Sequence, residues 1–157
     1  MTSANKPSRR REQPKRVLFL DFDGVLHPTM EDLDDDSDAC IATPLFGWLP
    51  LLATALASHP DVGIVVSSTW RYTHDQDELR ELLGPLKGRF LGATPRGPRY
   101  ESIQWWLHLN PMFASHRILD DNPREFPTPA PTELIVCHPH RGVSDPEVLA
   151  QLREWLL

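Results

Sequence analysis

A short apolar run that ends in two aspartates constrains the fold of this chain more than any other feature. The apolar residues 17–20 are followed by Asp21, Phe22, Asp23 and Gly24. A run of this length that stops at a glycine is typical of a buried strand in a parallel sheet, and the carboxyl ends of such strands bind ligands. Side chains two residues apart on an extended chain point to the same side, so the two carboxylates need a cation or a proton between them.

Four more apolar segments predict strands, and helical segments alternate with the strands. Strands are expected at about residues 16–21, 61–67, 89–92, 117–119 and 134–137. Helices are expected at about residues 43–58, 75–83 and 99–109, with Thr43 as the first N-cap, and a capping box of Ser144 and Glu147 predicts a last helix. The alternation predicts a three-layer, Rossmann-like α/β domain with a parallel sheet of about five strands and helices on both faces.

Length and charge predict one domain behind a basic tail. The chain has 157 residues, enough for one domain with a core. Six of the 16 basic residues but only one of the 22 acidic residues lie in residues 1–16, so the rest carries 10 basic and 21 acidic residues. We expect residues 1–15 to be a disordered tail, able to contact phosphates or an acidic partner, and residues 16–157 to be one domain with little general affinity for nucleic acid.

Other features bound the cellular setting. No apolar run approaches the ~18 residues of a membrane span and the N-terminus is polar, so we expect a cytoplasmic protein with no membrane partner. Cys40 and Cys137 are far apart and are expected to be reduced thiols. An acidic run at residues 31–38 is interpreted as a solvated loop, with calcium binding as the alternative.

Polar side chains follow three of the predicted strands at the point where each strand ends. They are Asp21 and Asp23, Ser67 and Ser68, and Asp120 and Asp121. Because the carboxyl ends of parallel strands converge at one edge of a sheet, these side chains are expected to meet. Asp21 and Asp120 offer the hard oxygen ligands that Mg²⁺ takes together with waters and a substrate phosphate. The sequence therefore predicts a magnesium and phosphate site at this edge.

Residues 21–25, Asp-Phe-Asp-Gly-Val, resemble motif I of the haloacid dehalogenase (HAD) superfamily, Asp-x-Asp-x-(Val/Leu/Thr). In phosphatases of that superfamily the first aspartate is the nucleophile and the second is the general acid and base. The resemblance implies a Mg²⁺-dependent phosphomonoesterase in which Asp21 forms an aspartyl-phosphate. Asp23 would protonate the leaving oxygen and then activate the water that hydrolyses the intermediate.

Residues that match the other three HAD motifs follow in order, so the resemblance extends over about residues 16–157. Ser67 matches the phosphoryl-binding hydroxyl of motif II, and Arg99 lies where motif III places a lysine or an arginine. The acidic pair of motif IV corresponds to Asp120 and Asp121. The implied metal ligands are Asp21, Asp23, Asp120 and Asp121.

Several assignments stay open at the level of the sequence. Ser68 takes the motif II role if the strand ends one residue later, and Arg96 competes with Arg99. Arg71 is a further candidate for binding the substrate phosphate, with an ion pair as the alternative. His27 is a candidate for contacting substrate because it lies three residues after the motif I glycine.

The string Ser-Ser-Thr-Trp-Arg at residues 67–71 also resembles a HAD subgroup found in Swiss-army-knife RNA-repair proteins. Within it, Trp70 is expected to belong to the core rather than to bind substrate. A pair of histidines, His138 and His140, is interpreted as part of a polar loop, since no third metal ligand lies near in sequence.

The chain leaves little room for the cap domain with which many HAD enzymes cover the site. Residues 25–43 are few, and one helix lies between the third strand and Asp120. An open site suits a phosphate on a large substrate, such as a nucleic-acid end or a phosphoprotein. Two alternatives are a non-catalytic HAD-fold binding module and a phosphoaspartate receiver, although a receiver needs a lysine where this chain has Cys137 and His138.

Overall fold

A parallel sheet forms the centre of the molecule. The structure is a computed structural model that describes residues 13–29 and 43–157. Within them, the five predicted strands are all present, in the spatial order β3-β2-β1-β4-β5. They are β1 (Arg16–Leu20), β2 (Val62–Val66), β3 (Phe90–Ala93), β4 (Ser115–Asp120) and β5 (Leu134–Val136). The predicted α/β fold class is therefore confirmed.

Helices cover both faces of the sheet. In the described part of the chain these are α1 (Leu49–Leu56), α2 (Gln76–Leu82), α3 (Arg99–Leu109) and α4 (Pro146–Leu156). Leucines of α1, α2 and α4 pack with Leu18 and Leu20 on one face, whereas Ile103 of α3 packs with Val17 and Phe19 on the other. The chain runs from β1 to β3 and then returns across the sheet to β4, and right-handed connections place α3 opposite the others for that reason.

The central strand explains why the apolar run does not alternate with polar residues. Residues 17–20 have no solvent exposure, because helices cover both faces of β1 and its neighbours β2 and β4 cover both edges. Burial of each such side chain stabilises the fold by about 1.5–3 kcal/mol. Leu20 is level with Val66 of β2 and Leu119 of β4. The next residue of each strand is therefore brought to one edge.

The helix predicted to begin near Thr43 begins later, so that prediction is wrong in its start. Residues 45–48 form turns, in which Phe46 has a left-handed backbone with φ of 57°. α1 then starts at Leu49, with Pro50 in its first turn. Proline is tolerated there because the first N–H groups of a helix have no partner inside it.

The capping box predicted for the last helix is also wrong. The N-cap of α4 is Asp145, whose Oδ1 accepts the N–H of Glu147 at 3.0 Å, and Pro146 is the first helical residue. The hydroxyl of Ser144 instead donates to the carbonyl of Arg141. A proline favours the first helical position, and this shifts the cap by one residue from the predicted serine.

The connections near the carboxyl edge are short where they are described. Residues 94–98 link β3 to α3 with no cap-domain element, and residues 25–29 and 43–48 contain none either. The acidic run, Cys40 and tail residues 1–12 lie outside the described residues, while Cys137 is a buried, free thiol. None of the described helices combines the length and the apolar character needed to cross a membrane.

Candidate active site

Four polar residues lie level with one another at the carboxyl ends of the strands or directly after them. In the order of the sheet they are Thr94, Ser67, Asp21 and Asp120. The N–H groups of the first three continue the ladder, donating to Val66, Leu20 and Leu119 at 3.0–3.1 Å. Side chains alternate along a strand, and the residues before them pack on the opposite face. The four side chains therefore lie on the face that α3 covers.

Arg99, the first residue of α3, connects two of these aspartates. Its Nη1 donates to Oδ2 and Oδ1 of Asp120 at 2.9 and 3.1 Å, and to Oδ2 of Asp21 at 3.4 Å. Asp120 is fully buried and Asp21 is 4% exposed. Burial, and next the charge of Asp120, raise the pKa of Asp21 well above its usual value. Burial also raises the pKa of Asp120 to about 6 against the opposing effect of Arg99. A single guanidinium therefore leaves the pocket short of positive charge.

Asp121 completes a group of three carboxylates whose geometry fits a divalent cation. One oxygen each from Asp21, Asp120 and Asp121 lie within 4.8 Å of one another. Gly24 has a φ of +75°, and a Cβ at this position would overlap Oδ2 of Asp121. Glycine therefore permits both the turn after β1 and the approach of Asp121. Three carboxylates against one guanidinium form the kind of oxygen-rich, negatively charged site that Mg²⁺ binds.

Asp23 is held apart from that group by two hydrogen bonds. Nε2 of His27 lies 2.7 Å from Oδ1, and Nε1 of Trp70 donates to Oδ2 at 2.9 Å. Nδ1 of His27 accepts the N–H of Phe46 at 3.1 Å, so the ring proton lies on Nε2 and is donated to Asp23. His27 is 2% exposed, with both nitrogens bonded inside the protein, and its expected contact with substrate stays a prediction. The Asp23 side chain is not part of the group of three carboxylates, and its expected place among the metal ligands also stays a prediction.

The two aspartates of motif I thus have opposite electrostatic environments. The hydrogen bond from His27 is the main reason why the pKa of Asp23 is lowered, and the bond from Trp70 adds to it against the effect of burial. The pKa of Asp21 is raised, chiefly by burial. Two neighbouring carboxylates whose pKa values are driven apart are suited to different catalytic roles.

The structure distinguishes the two candidate serines. Ser68 is the N-cap of a 3₁₀ helix at Thr69–Tyr72, and its Oγ accepts the N–H of Trp70 at 3.2 Å. Ser67 directly follows β2, and its buried Oγ has no hydrogen-bond partner among the described residues. Of the two serines, Ser67 is the one whose hydroxyl is both level with Asp21 and available to a ligand.

The candidate arginines also separate by position. Arg96 is exposed, lies over the Tyr72 ring, and donates to the Tyr72 carbonyl at 3.4 Å, whereas Arg99 contacts the aspartates. Nη1 of Arg71 donates to the carbonyls of Ser67 and Ser68 at 2.9 and 3.0 Å, so Arg71 braces this corner of the site. Nε of Arg71 is buried and has no partner in the described part of the chain, which leaves one N–H for a ligand.

Comparison with protein-family models agrees with this geometry. Residues 17–148 match the HAD domain of Swiss Army Knife RNA repair proteins. The chain belongs to this family. The match runs from β1 into α4, so it includes every strand of the HAD domain and all four motifs. No curated protein and no solved structure matches the chain.

Two residues of the HAD site have contacts that the sequence did not indicate. Trp70 packs against the core, as expected, but its indole N–H also binds Asp23. Thr94 lies in the row of polar strand ends, although sequence analysis placed it in a loop. Thr94 could have been found from its position directly after β3, because polar residues also follow the other strands at that point.

Proposed function

We propose that this HAD domain is a metal-dependent phosphohydrolase that acts on phosphomonoesters through an aspartyl-phosphate at Asp21. The observation that carries the proposal is the separation of the two motif I carboxylates. Asp21 lies in the buried acidic group with Arg99, while Asp23 is held 2.7–2.9 Å from His27 and Trp70. This division matches a reaction that needs one carboxylate as nucleophile and another as proton carrier.

The residues present fit a Mg²⁺ ion, which Asp21, Asp120 and Asp121 would hold. Their oxygens converge within 4.8 Å, and burial raises the pKa of each of the three carboxyl groups, which favours bringing a positive charge to them. When bound, the cation would offset the repulsion between the carboxylate nucleophile and the phosphate dianion.

In the first half-reaction an oxygen of Asp21 attacks phosphorus, and the bond from phosphorus to the leaving oxygen breaks. Asp23 gives its proton to that oxygen, and the bonds from His27 and Trp70 hold its carboxyl group in place for the transfer. The pKa of Asp23 is lowered in the free protein, and the negative charge of a bound phosphate would oppose this shift and so favour the protonated form that the first half-reaction needs. Ser67 and Arg99 bind the phosphoryl oxygens.

In the second half-reaction Asp23, now ionised, takes a proton from a water molecule. The water oxygen attacks phosphorus, the bond to Asp21 breaks, and inorganic phosphate and the Asp21 carboxylate are released. The same group serves first as acid and then as base, so each turnover restores the starting protonation states.

The substrate we propose is a phosphate at the end of a large molecule, and first of all the end of an RNA strand. The short described connections support an open site, which admits a chain end as well as a small ester. The family description names RNA repair proteins, which favours an RNA end over a phosphoprotein. A cytoplasmic location would fit such a substrate.

The direct test is phosphate release from p-nitrophenyl phosphate by the full chain, with Mg²⁺ and after EDTA treatment, for the wild type and for Asp21→Asn. We expect turnover that needs the metal and that the variant loses. The variant should keep its fold, because the change removes a buried charge of raised pKa. Unchanged rates for Asp21→Asn would exclude the mechanism. A wild type that binds Mg²⁺ but releases no phosphate from any ester would indicate a non-catalytic binding module.

A further inference from the structure

In the described residues, the buried side-chain polar atoms without a hydrogen-bond partner all belong to one corner of the site. They are Ser67 Oγ, Thr94 Oγ1 and Arg71 Nε. Ser67 and Thr94 directly follow β2 and β3, and Arg71 donates to the carbonyl of Ser67. A buried polar group without a partner carries the cost of its lost hydration. Three such groups in one place therefore indicate a ligand that satisfies them.

Thr94 is positioned for such a ligand by the sheet itself. Its N–H donates to the carbonyl of Val66 at 3.0 Å, and Ala93 is level with Val66, so Thr94 is level with Ser67. Ala93 packs against the core on the face of α1, α2 and α4. Because consecutive residues point to opposite faces, Thr94 points to the face of α3, beside Ser67. Neighbouring strands lie about 4.8 Å apart, a distance that one tetrahedral anion spans.

The loop after Thr94 is joined to the same corner. Nη2 of Arg71 donates to the carbonyl of Gly97 at 3.2 Å, and the hydroxyl of Tyr72 contacts the same carbonyl at 3.2 Å. Arg71 therefore links the end of β2 to the loop that enters α3, where Arg99 begins the helix. The corner lies between two guanidinium groups.

The chemistry of these groups selects an anionic acceptor. A guanidinium N–H can only donate, and a threonine or serine hydroxyl donates readily to a charged oxygen. The positive charge of Arg71 beside the two hydroxyls favours an anion over a cation at this corner. A phosphate has several oxygens at tetrahedral directions, so it can accept from Ser67, Thr94 and Arg71 at once.

We propose that Thr94 is a phosphate-binding residue, whose Oγ1 donates to an oxygen of the substrate phosphate beside Ser67, with Arg71 Nε as a third donor. The identity of this anion as substrate rests on the proposed phosphohydrolase function. The phosphate then lies over the end of β2, with Asp21 on one side and Thr94 on the other.

The test compares phosphate affinity in matched variants of the full chain. Thr94→Val removes the hydroxyl and keeps the side-chain shape, whereas Thr94→Ser keeps the hydroxyl. Thr54→Val is the control, because Thr54 is an exposed residue of α1 whose Oγ1 bonds only to Pro50 within its own helix. Binding of inorganic phosphate in the presence of Mg²⁺ is measured by calorimetry, Tm is measured with and without phosphate, and KM for p-nitrophenyl phosphate is measured alongside.

Thr94→Val should weaken phosphate binding about ten- to hundredfold, the effect of losing a hydrogen bond to a charged group. Its Tm without phosphate should stay at or above the wild-type value, because no protein partner is lost. Thr94→Ser and Thr54→Val should bind phosphate as the wild type does.

Equal phosphate affinity in Thr94→Val and wild type would overturn the inference, and so would a lower Tm of the phosphate-free variant, which would reveal a structural partner. The outcome is separable from the proposed function. If the wild type binds phosphate through Thr94 but hydrolyses no ester, this inference is supported and the proposed hydrolase function is overturned. If the protein hydrolyses esters and Thr94→Val has the same KM as the wild type, the proposed hydrolase activity is supported and the role of Thr94 is overturned.

Discussion

At the scale of single residues, the carboxylates of the site differ in the groups that they contact. Asp21 and Asp120 share the Nη1 atom of Arg99, and burial keeps their pKa values raised despite it. Asp23 instead receives two neutral N–H groups, and its pKa is lowered. The first environment fits the proposed metal ion, whereas the second holds Asp23, the proposed proton carrier, in a defined orientation.

Replacing Trp70 by phenylalanine should lower kcat with little change in KM. The variant loses the N–H that binds Oδ2 of Asp23 but keeps an aromatic ring against Phe22 and Phe46. Loss of a hydrogen bond to a charged group costs about 1.5–3 kcal/mol, which corresponds to about ten- to hundredfold in kcat if the bond acts in the transition state. The control is Trp105→Phe, on the exposed side of α3. Steady-state kinetics measure kcat and KM for both variants. A kcat of Trp70→Phe equal to that of the wild type would show that this bond does not position Asp23.

The metal-free protein should become more stable as the pH falls from ~8 to ~5.5, and Mg²⁺ should stabilise it more at the higher pH. Burial raises the pKa of Asp120 to about 6, above the value of about 3.9 expected in an unfolded chain. Folding therefore takes up a proton between these values, and this contribution to stability is lost as the pH rises through 6. Mg²⁺ binds the ionised carboxylates, so the stabilisation that it provides should increase as the pH rises.

Thermal melts at the two pH values, with EDTA and with excess Mg²⁺, measure both effects. Asp120→Asn serves as the comparison, since it lacks this titrating group and should lose the part of the pH-dependent gain that Asp120 contributes. An equal Mg²⁺ shift of Tm at both pH values would contradict the proposed metal site.

At the scale of elements, short helices depend on contacts with the sheet. α4 has 11 residues, and isolated helices shorter than about 12–15 residues are marginal in water. Arg16 of β1 donates to the carbonyls of Trp155 and Leu156 at 3.0 and 3.2 Å, which satisfies the C-terminal end of α4. The same guanidinium binds both oxygens of Asp61 at 2.7 and 3.0 Å. One side chain thus joins β1, the start of β2 and the last helix.

Asp61→Asn should lower the free energy of unfolding by about 1 kcal/mol at neutral pH, the upper range for a partly exposed ion pair. The bond from Arg16 holds the pKa of Asp61 below its usual value. Its stabilisation is therefore present above about pH 4 and is lost as the pH falls through the folded-state pKa. Urea titrations at neutral and acidic pH measure the difference, with Asp77→Asn as a control because its pair with Arg80 is exposed. A difference that persists undiminished in acid would contradict this account.

At the scale of the whole molecule, the site lies at the carboxyl edge, where the described connections are short. On the open-site proposal, remote binding energy must come from the substrate. A small ester contacts little beyond the phosphate corner, so it cannot use distant contacts to raise its rate. Electrostatic attraction does not compensate, since residues 17–157 carry 10 basic against 21 acidic residues. The basic residues of the N-terminal tail are the part of the sequence suited to attract a nucleic acid.

We therefore expect kcat/KM to be larger for a phosphorylated RNA end than for a mononucleotide or a phosphopeptide. Deletion of residues 1–12, which include Lys6, Arg9, Arg10 and Arg11, should reduce the preference for RNA at low salt. The effect of the deletion should shrink as ionic strength rises. The measurement is kcat/KM for the three substrates at two salt concentrations, with and without the tail. Equal efficiency on all three substrates would contradict the open-site proposal, and a deletion effect that ignores salt would contradict its electrostatic part.

Much of the fold and the motif positions could be predicted because they are local in sequence. An uninterrupted apolar run predicts a strand buried on both faces, and strand-helix alternation predicts the parallel sheet. α3 begins and ends at the predicted residues 99 and 109. The predicted start of α1 was wrong, because the left-handed backbone of Phe46 and the preference of Pro50 for a first turn outweighed a plausible cap at Thr43.

By itself, the sequence determined the sheet and the polar residues at its carboxyl edge. The spacing of apolar residues and the positions where strands end depend on residues that are neighbours in the chain. Only the tertiary structure decided how the side chains there are partnered. Trp70 reaches Asp23 across 47 positions, and Arg99 reaches Asp120 across 21. Such pairings depend on strand register and on which face α3 covers, and both are set by packing between segments distant in the chain. The same packing buries His27 behind Asp23 and leaves the Thr94 hydroxyl without a partner.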